Sequence, residues 1–94
     1  MNSYEGMFIF KPDLSKDNLD KTLAQVRDII AKHNGSASDI KELGRQKLAY
    51  PIKKEREGFY YLINFHIDPE AVSKIKKTLA LNESILRMMI IKRA

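Results

Sequence analysis

The sequence predicts an α+β domain of the ferredoxin-like type, βαββαβ, with a four-stranded antiparallel sheet carrying two helices on one face. Three observations lead there. Hydrophobic periods run strand, helix, strand, strand, helix, strand along 94 residues. Each half holds one helix entered through the same device, an apolar residue before the N-cap matched by another four positions after it. Phe59, Tyr61, Ile63, Phe65 and Ile67 alternate with Tyr60, Leu62, Asn64 and His66, the period of a half-buried strand. With no linker and no low-complexity segment, residues 1–94 form a single domain.

The elements follow in order. Tyr4 to Phe10 is an aromatic-rich strand closed by Lys11-Pro12-Asp13, a turn signal. Ser15 is the expected N-cap of the first helix, with Leu14 and Leu19 as its staple. Leu19, Leu23, Val26, Ile30 and His33 recur at steps of four, three, four and three, one face of a helix. Asn34-Gly35 should end it, with Gly35 in the left-handed conformation. Residues 39–50 read as a strand whose alternation is broken, and Gly44 marks a bulge. Pro51 should end the pairing or lie on an edge. Residues 52–57 form a charged turn before the alternating strand. Asp68 as N-cap and Pro69 at the first helical position open the second helix, stapled by Ile67 and Val72. Val72, Ile75 and Leu79 are its buried face. A turn around Asn82 leads to the last strand, Ile85 to Lys92.

Parity then divides the sheet. Phe8, Phe10, Ile63, Phe65, Ile67, Met88 and Ile90 form the fuller apolar set and belong under the helices. Met7, Ile9, Tyr60, Leu62, Met89 and Ile91 fall on the helix-free face. That is more apolar surface than a monomer leaves in water, which points to a protein partner, foreign or a second copy. Scattered surface residues, or a register shifted beside a bulge, are the alternatives. Gly6 in the first strand implies either a small void or a close approach.

Composition narrows the function classes. An apolar share of 44% with 31% charged residues describes a soluble globule. The absence of cysteine excludes disulfides and thiolate metal sites and suits a reducing cytoplasm. No apolar run approaches the roughly 20 residues that span a bilayer. Met1-Asn2-Ser3-Tyr4-Glu5 does not open a signal peptide, so a cytoplasmic protein is expected. The net charge of +5 is uneven: five cations and six anions in residues 1–39, twelve and six in residues 40–94. The excess in the second half points to a polyanionic partner.

Gly44 to Gly58 concentrates that charge. Arg45, Lys47, Lys53, Lys54 and Arg56 interleave with Leu48, Tyr50 and Ile52, and only Glu55 and Glu57 oppose them. The pattern suits a surface that grips phosphate while packing on something apolar. A solvated edge strand, whose lysines discourage aggregation, has the same composition, and charge alone leaves both readings open. Enzyme chemistry finds no such footing. His33 and His66 have no Asp, Glu or His at metal-ligand spacing, so neither a metal site nor a cofactor is expected. Asp17 with Asp20 and Glu55 with Glu57 sit in exposed helix or turn positions. The serines lack a nucleophile elbow, and four scattered glycines make no phosphate loop. A phosphate-ester hydrolase on this fold could hold phosphate with Arg45 or Arg87, but nothing is available to position an attacking water. The RNA-recognition signature is matched only in part at Glu57-Gly58-Phe59-Tyr60-Tyr61-Leu62-Ile63-Asn64, and Phe59 and Tyr61 share the parity of the core.

Tyr4-Glu5, then Gly44-Arg45-Gln46-Lys47-Leu48-Ala49-Tyr50-Pro51-Ile52-Lys53-Lys54, then Gly58-Phe59-Tyr60, then Leu86-Arg87 resemble bacterial small-subunit ribosomal protein six, from Tyr4 to Lys92. The resemblance implies a structural constituent of the small ribosomal subunit that binds the central domain of its (16S) ribosomal RNA together with ribosomal protein eighteen. On that footing the expected RNA contacts are Tyr4, Arg45, Lys47, Lys53, Lys54, Arg56, Arg87, Lys92 and Arg93. Tyr4 would stack or hydrogen-bond at the RNA edge and the cations would meet phosphates. Arg45 and Arg87 have the alternative of pairing with Glu42 or Glu5. Leu48, Tyr50, Tyr60 and Leu62 are the expected protein interface. No catalytic residue and no small-molecule substrate is expected. The chain stops at Ala94 without the extended tail of some members, so no tail-borne function is expected. The other reading is a small regulatory or assembly module that oligomerises through its open sheet and binds no RNA.

Overall fold

Helix caps and a bulged sheet register set the architecture. The computed structural model describes residues 2–93. Its elements are β1 (Asn2–Phe10), α1 (Lys16–Lys32), β2 (Ser36–Ile52), β3 (Glu55–Ile67), α2 (Pro69–Ala80) and β4 (Ile85–Lys92). The sheet order is β2-β3-β1-β4, with every neighbouring pair antiparallel. This is the ferredoxin-like βαββαβ fold that the periodicity predicts.

Ser15 caps α1 as expected, its hydroxyl accepting from the Asn18 N–H at 3.2 Å. The exit differs from expectation in one residue. Asn34, not Gly35, takes the left-handed conformation, at φ 65°. The Asn34 N–H donates to the Ala31 carbonyl and the Gly35 N–H to the Ile30 carbonyl, a Schellman closure. Gly35 serves a different need: a Cβ there would lie 2.7 Å from the His66 carbonyl oxygen and 2.9 Å from Ile30 Cγ2. The position is glycine because the helix end lies against β3. Asp68 occupies the N-cap of α2 in extended conformation, with Pro69 beginning the helix.

The core lies between the helices and one sheet face. Phe8, Phe10, Ile63, Phe65 and Ile67 are fully buried there with Val26 and Ile30 of α1 and Ile75 and Leu79 of α2. Met88 and Ile90 pack against the same cluster. Each large side chain so buried contributes on the order of 2 kcal/mol. Gly6 makes a close approach, not a void, since a Cβ would lie 2.7 Å from Phe8 Cε1. Tyr61 also belongs to the core, and its hydroxyl donates to a Glu42 carboxylate oxygen at 3.2 Å. Burial, then the neighbouring Glu42 charge, pushes its pKa above the ordinary phenol value.

β2 and β3 are longer than the hydrophobic pattern suggests. The pattern ends at the charges, yet residues 52–57 continue as a hairpin because a two-residue turn, Lys53-Lys54, joins the arms. Both lysines have positive φ, 50° and 70°, the backbone of a primed hairpin turn. The register shifts between Glu42 and Gly44, with Gly44 at φ 85°, as expected for a bulge.

Candidate nucleic-acid and protein interface

The β2–β3 hairpin outruns the sheet. β1 ends against β3 at the Phe10–Phe59 pair, whereas the hairpin continues through Gln46–Gly58 and Lys47–Glu57. Pairing then lapses until Ile52 meets Glu55. Pro51 lies in that gap, and its missing N–H removes a ladder bond. The unpaired run Leu48–Pro51 bows away from the returning arm and opens a hollow of about 900 Å³. Lys47, Lys54 and Arg56 line it beside Leu48 and Tyr50, with Glu55 and Glu57 as the opposing charges.

The tip of the hairpin also reaches β4. Arg87 Nη1 donates to the Tyr50 hydroxyl at 2.8 Å, and Lys53 Nζ lies 3.5 Å from the Ile85 carbonyl oxygen. Arg87 stands opposite Ile9 on the helix-free face, so the tip approaches from that side. This accounts for one departure from the parity expectation. Ile9, 8% exposed, and Leu86, 6% exposed, are buried although no helix covers them. Gly58 packs on the same pair: a Cβ there would collide with Ile9 Cγ2 and touch Leu86 Cδ1 at 3.7 Å. Leu86 is extra because the β1–β4 register shifts between Ile9 and Phe10.

Arg45 is held on the other side of the sheet. Its guanidinium lies 5.1 Å above the Phe59 ring, donates to the Pro12 carbonyl at 2.6 Å and stands 3.9 Å from Glu57. Its neighbours are therefore not the Glu42 or Glu5 that the sequence suggested as alternatives, and the same holds for Arg87. Lys47, Lys53, Lys54, Arg56 and Arg87 are all exposed at the hairpin end. Lys92 and Arg93 are exposed at the opposite end, Lys92 beside Tyr4 and Arg93 bonded through its N–H to the Ser3 carbonyl. The six steps of β1 between Tyr4 and Phe10 separate the two groups by roughly 20 Å. The eight expected cationic contacts thus divide into a hairpin cluster, Arg45 on the helix side, and a pair at the far end.

For Tyr4 the geometry opposes stacking on a base and leaves hydrogen bonding through its hydroxyl as the other alternative. It is only 7% exposed, and its ring stacks on Phe65 with centroids 5.8 Å apart, inside the helix-side core. It shares the parity of Gly6, Phe8 and Phe10, so its ring has no free face for a base.

The four expected partner residues also divide. Tyr60 and Leu62 are half-buried on the helix-free face. Leu62, Met7 and Met89 line up across β3, β1 and β4, with Ile91 in the next row. Met89 is 47% and Ile91 57% exposed. Leu48 and Tyr50 sit on the hairpin instead, and Tyr50 is engaged with Arg87. His66 receives or gives a hydrogen bond at 2.9 Å to the Ser3 hydroxyl, and His33 closes α1 with Nδ1 at 3.0 Å from the Ile29 carbonyl. Among the described residues no three His, Asp or Glu side chains gather as metal ligands, and no helix is long and apolar enough to cross a membrane.

The family model for ribosomal protein S6 matches residues 3–92. The small ribosomal subunit protein bS6 of Chlamydia muridarum is 43% identical over 95% of this chain and 80% of its own length. That of Caldanaerobacter subterraneus is 33% identical over 98% of this chain and 97% of its own length. The crystal structure of 30S ribosomal protein S6 from Thermotoga maritima superposes with a TM-score of 0.89 at 28% identity, covering 98% of this chain and 87% of that one. The chain belongs to the ribosomal protein S6 family, structural constituents of the small ribosomal subunit in the cytoplasmic ribosome.

Proposed function

We propose that this chain binds the central domain of small-subunit ribosomal RNA, jointly with ribosomal protein eighteen. One observation carries the reading: a cation-rich hairpin tip stands beside an uncovered apolar row of the sheet. Lys47, Lys53, Lys54, Arg56 and Arg87 neutralise phosphates at the hairpin end, and Lys92 and Arg93 at the other. Arg45, already engaged with Pro12 and Phe59, offers its remaining charge from the helix side. Each neutralised phosphate releases condensed counterions, so affinity falls steeply with salt. Backbone and shape are read rather than base identity, since the helix-free face shows no pair of stacked aromatic platforms. Leu62 and Tyr60, with Met7, Met89 and Ile91, receive the protein partner, so that the two proteins present one composite surface.

The test is a salt titration of binding to a central-domain rRNA fragment, with and without protein eighteen. Tight, salt-steep binding that needs the partner is the expected result. Full affinity without the partner removes the composite surface. No binding in either condition removes RNA altogether and leaves the Met89–Ile91 surface as a site of self-association.

A further inference from the structure

The geometry points to Tyr50 as a positioning residue: its hydroxyl clamps the hairpin over β4 and orients Arg87 for phosphate. This rests on the RNA-binding reading above and deepens it. The family resemblance gave Tyr50 to the protein partner, but its hydroxyl is committed within the chain, at 2.8 Å from Arg87 Nη1.

Three features make this contact more than a surface hydrogen bond. First, the acceptor is neutral. A carboxylate in its place would cancel the guanidinium charge, whereas a phenol fixes the fork and leaves Arg87 fully cationic with four further N–H donors. Arg45 shows the contrast, with Glu57 at 3.9 Å and its Nη2 spent on the Pro12 carbonyl. Second, Lys53 approaches the Ile85 carbonyl from the same hairpin tip, two residues from Arg87 along β4. The clamp therefore brings two cations distant in sequence to one crossing point. Third, the arms between Lys47 and Ile52 are unpaired, so the sheet ladder alone does not fix where the tip lies. Tyr50 itself is 58% exposed, so its ring contributes little apolar burial to hold the tip. The hydrogen bond supplies the registration that the missing ladder does not.

An arginine held before binding loses less freedom when it engages phosphate. The consequence is specific. Tyr50→Phe removes the clamp and no charge, so it lowers affinity for the rRNA fragment roughly three- to tenfold at every salt concentration, the loss for one newly immobilised side chain. The slope of log affinity against log salt stays the same. Arg87→Ala instead lowers that slope by about 0.7 to 0.9.

The experiment combines salt titrations of wild type, Tyr50→Phe, Arg87→Ala and the double variant against the central-domain rRNA fragment with protein eighteen. Amide hydrogen exchange of the free proteins at residues 48–56 accompanies them. Faster exchange in Tyr50→Phe, a uniform affinity loss, and a double variant no weaker than Arg87→Ala are the expected results. Unchanged affinity in Tyr50→Phe overturns the inference. So does an equal loss in the Arg87→Ala background, which makes Tyr50 a direct contact of RNA or partner. Unchanged exchange in the hairpin overturns the clamp whatever the RNA data show. A wild type that binds no RNA in any salt, with exchange accelerated in Tyr50→Phe, overturns the RNA-binding reading and this use of the clamp together, while leaving the contact itself intact.

Discussion

Replacing Lys53-Lys54 by Asn-Gly separates stability from function at one site. Both lysines sit at positive φ, 50° and 70°, where an L-residue with a full side chain is strained by about 1–2 kcal/mol. Asn tolerates that conformation and Gly adopts it freely, so part of the strain is relieved. Against the gain stand about 0.5–1 kcal/mol of extra chain entropy lost by Gly on folding. The contact of Lys53 Nζ with the Ile85 carbonyl is also lost, but at 3.5 Å it lies at the limit of a hydrogen bond and contributes about 0.5 kcal/mol or less. The balance is a stabilisation of about 1 kcal/mol, a rise of roughly 4–8 °C in midpoint temperature for a domain of this size. Urea unfolding followed by circular dichroism reads it as a higher midpoint at constant slope. The same double substitution removes two cations from the hairpin tip. On the proposed RNA-binding reading the affinity therefore falls, and its salt slope drops by up to roughly 1.4–1.8. A more stable protein that binds RNA less well is the expected result. Destabilisation would mean that the contact of Lys53 with the Ile85 carbonyl outweighs the backbone strain. An unchanged slope would mean that these lysines meet no phosphate.

Gly35→Ala should destabilise by about 1–3 kcal/mol in urea unfolding, because its Cβ meets the backbone carbonyl of His66 at 2.7 Å. Asn34→Gly, at φ 65°, should be close to neutral in the same assay, and the reverse order would restore Gly35 as the left-handed residue. Tyr61 has a folded-state pKa above its ordinary 10.0. Its contribution is fully present below that value and is lost as pH rises through the folded pKa, so Tyr61→Phe should flatten part of the alkaline decline in midpoint temperature. Ile91→Ser, at a position 57% exposed, should change stability by no more than about 0.5 kcal/mol yet, on the proposed reading, weaken binding of protein eighteen in calorimetry. Lys92→Ala with Arg93→Ala should lower the salt slope by an amount that adds to the hairpin loss, since roughly 20 Å between the groups exceeds the Debye length of about 8 Å at physiological salt. Strong non-additivity would mean that one phosphate run bridges both.

The fold was legible because burial imposes period. Tyr61, Ile63, Phe65 and Ile67 alternate so regularly that β3 declares its core face, Ser15 marks the start of α1 with a side-chain cap, and Asp68-Pro69 marks the start of α2 without a side-chain cap hydrogen bond. The same rule opposes a stacking Tyr4: it stands four and six residues before Phe8 and Phe10 and therefore under the helices with them. Motif resemblance drew it to the RNA edge when parity already opposed stacking there. Gly35 was a different failure. An Asn-Gly pair satisfies the local rule with either residue left-handed, and only the proximity of the His66 carbonyl, contributed by β3, decides which. No local rule reports such an approach. The hairpin was least legible of all. Tyr50 and Arg87 are 37 positions apart, and neither periodicity nor composition links them.

The arrangement at the hairpin has a single physical logic. A strand that grips polyanion needs cations free of compensating carboxylates, and a strand rich in free cations repels itself and resists order. Here the order comes from uncharged partners. The Tyr50 hydroxyl and the Ile85 and Pro12 carbonyls accept from Arg87, Lys53 and Arg45, and the Phe59 ring receives the face of Arg45. None of these neutralises a charge. Glu57 beside Arg45 does, in part, and with Glu55 it opposes Lys47, Lys54 and Arg56 around the hollow, while Arg87 keeps a neutral acceptor. The hairpin is thus tethered to β4 on one face and to the β1–α1 turn on the other, and the tethers themselves consume none of its positive charge. Replacing one neutral acceptor by a carboxylate would hold the fold as well or better and would remove the charge that the surface offers.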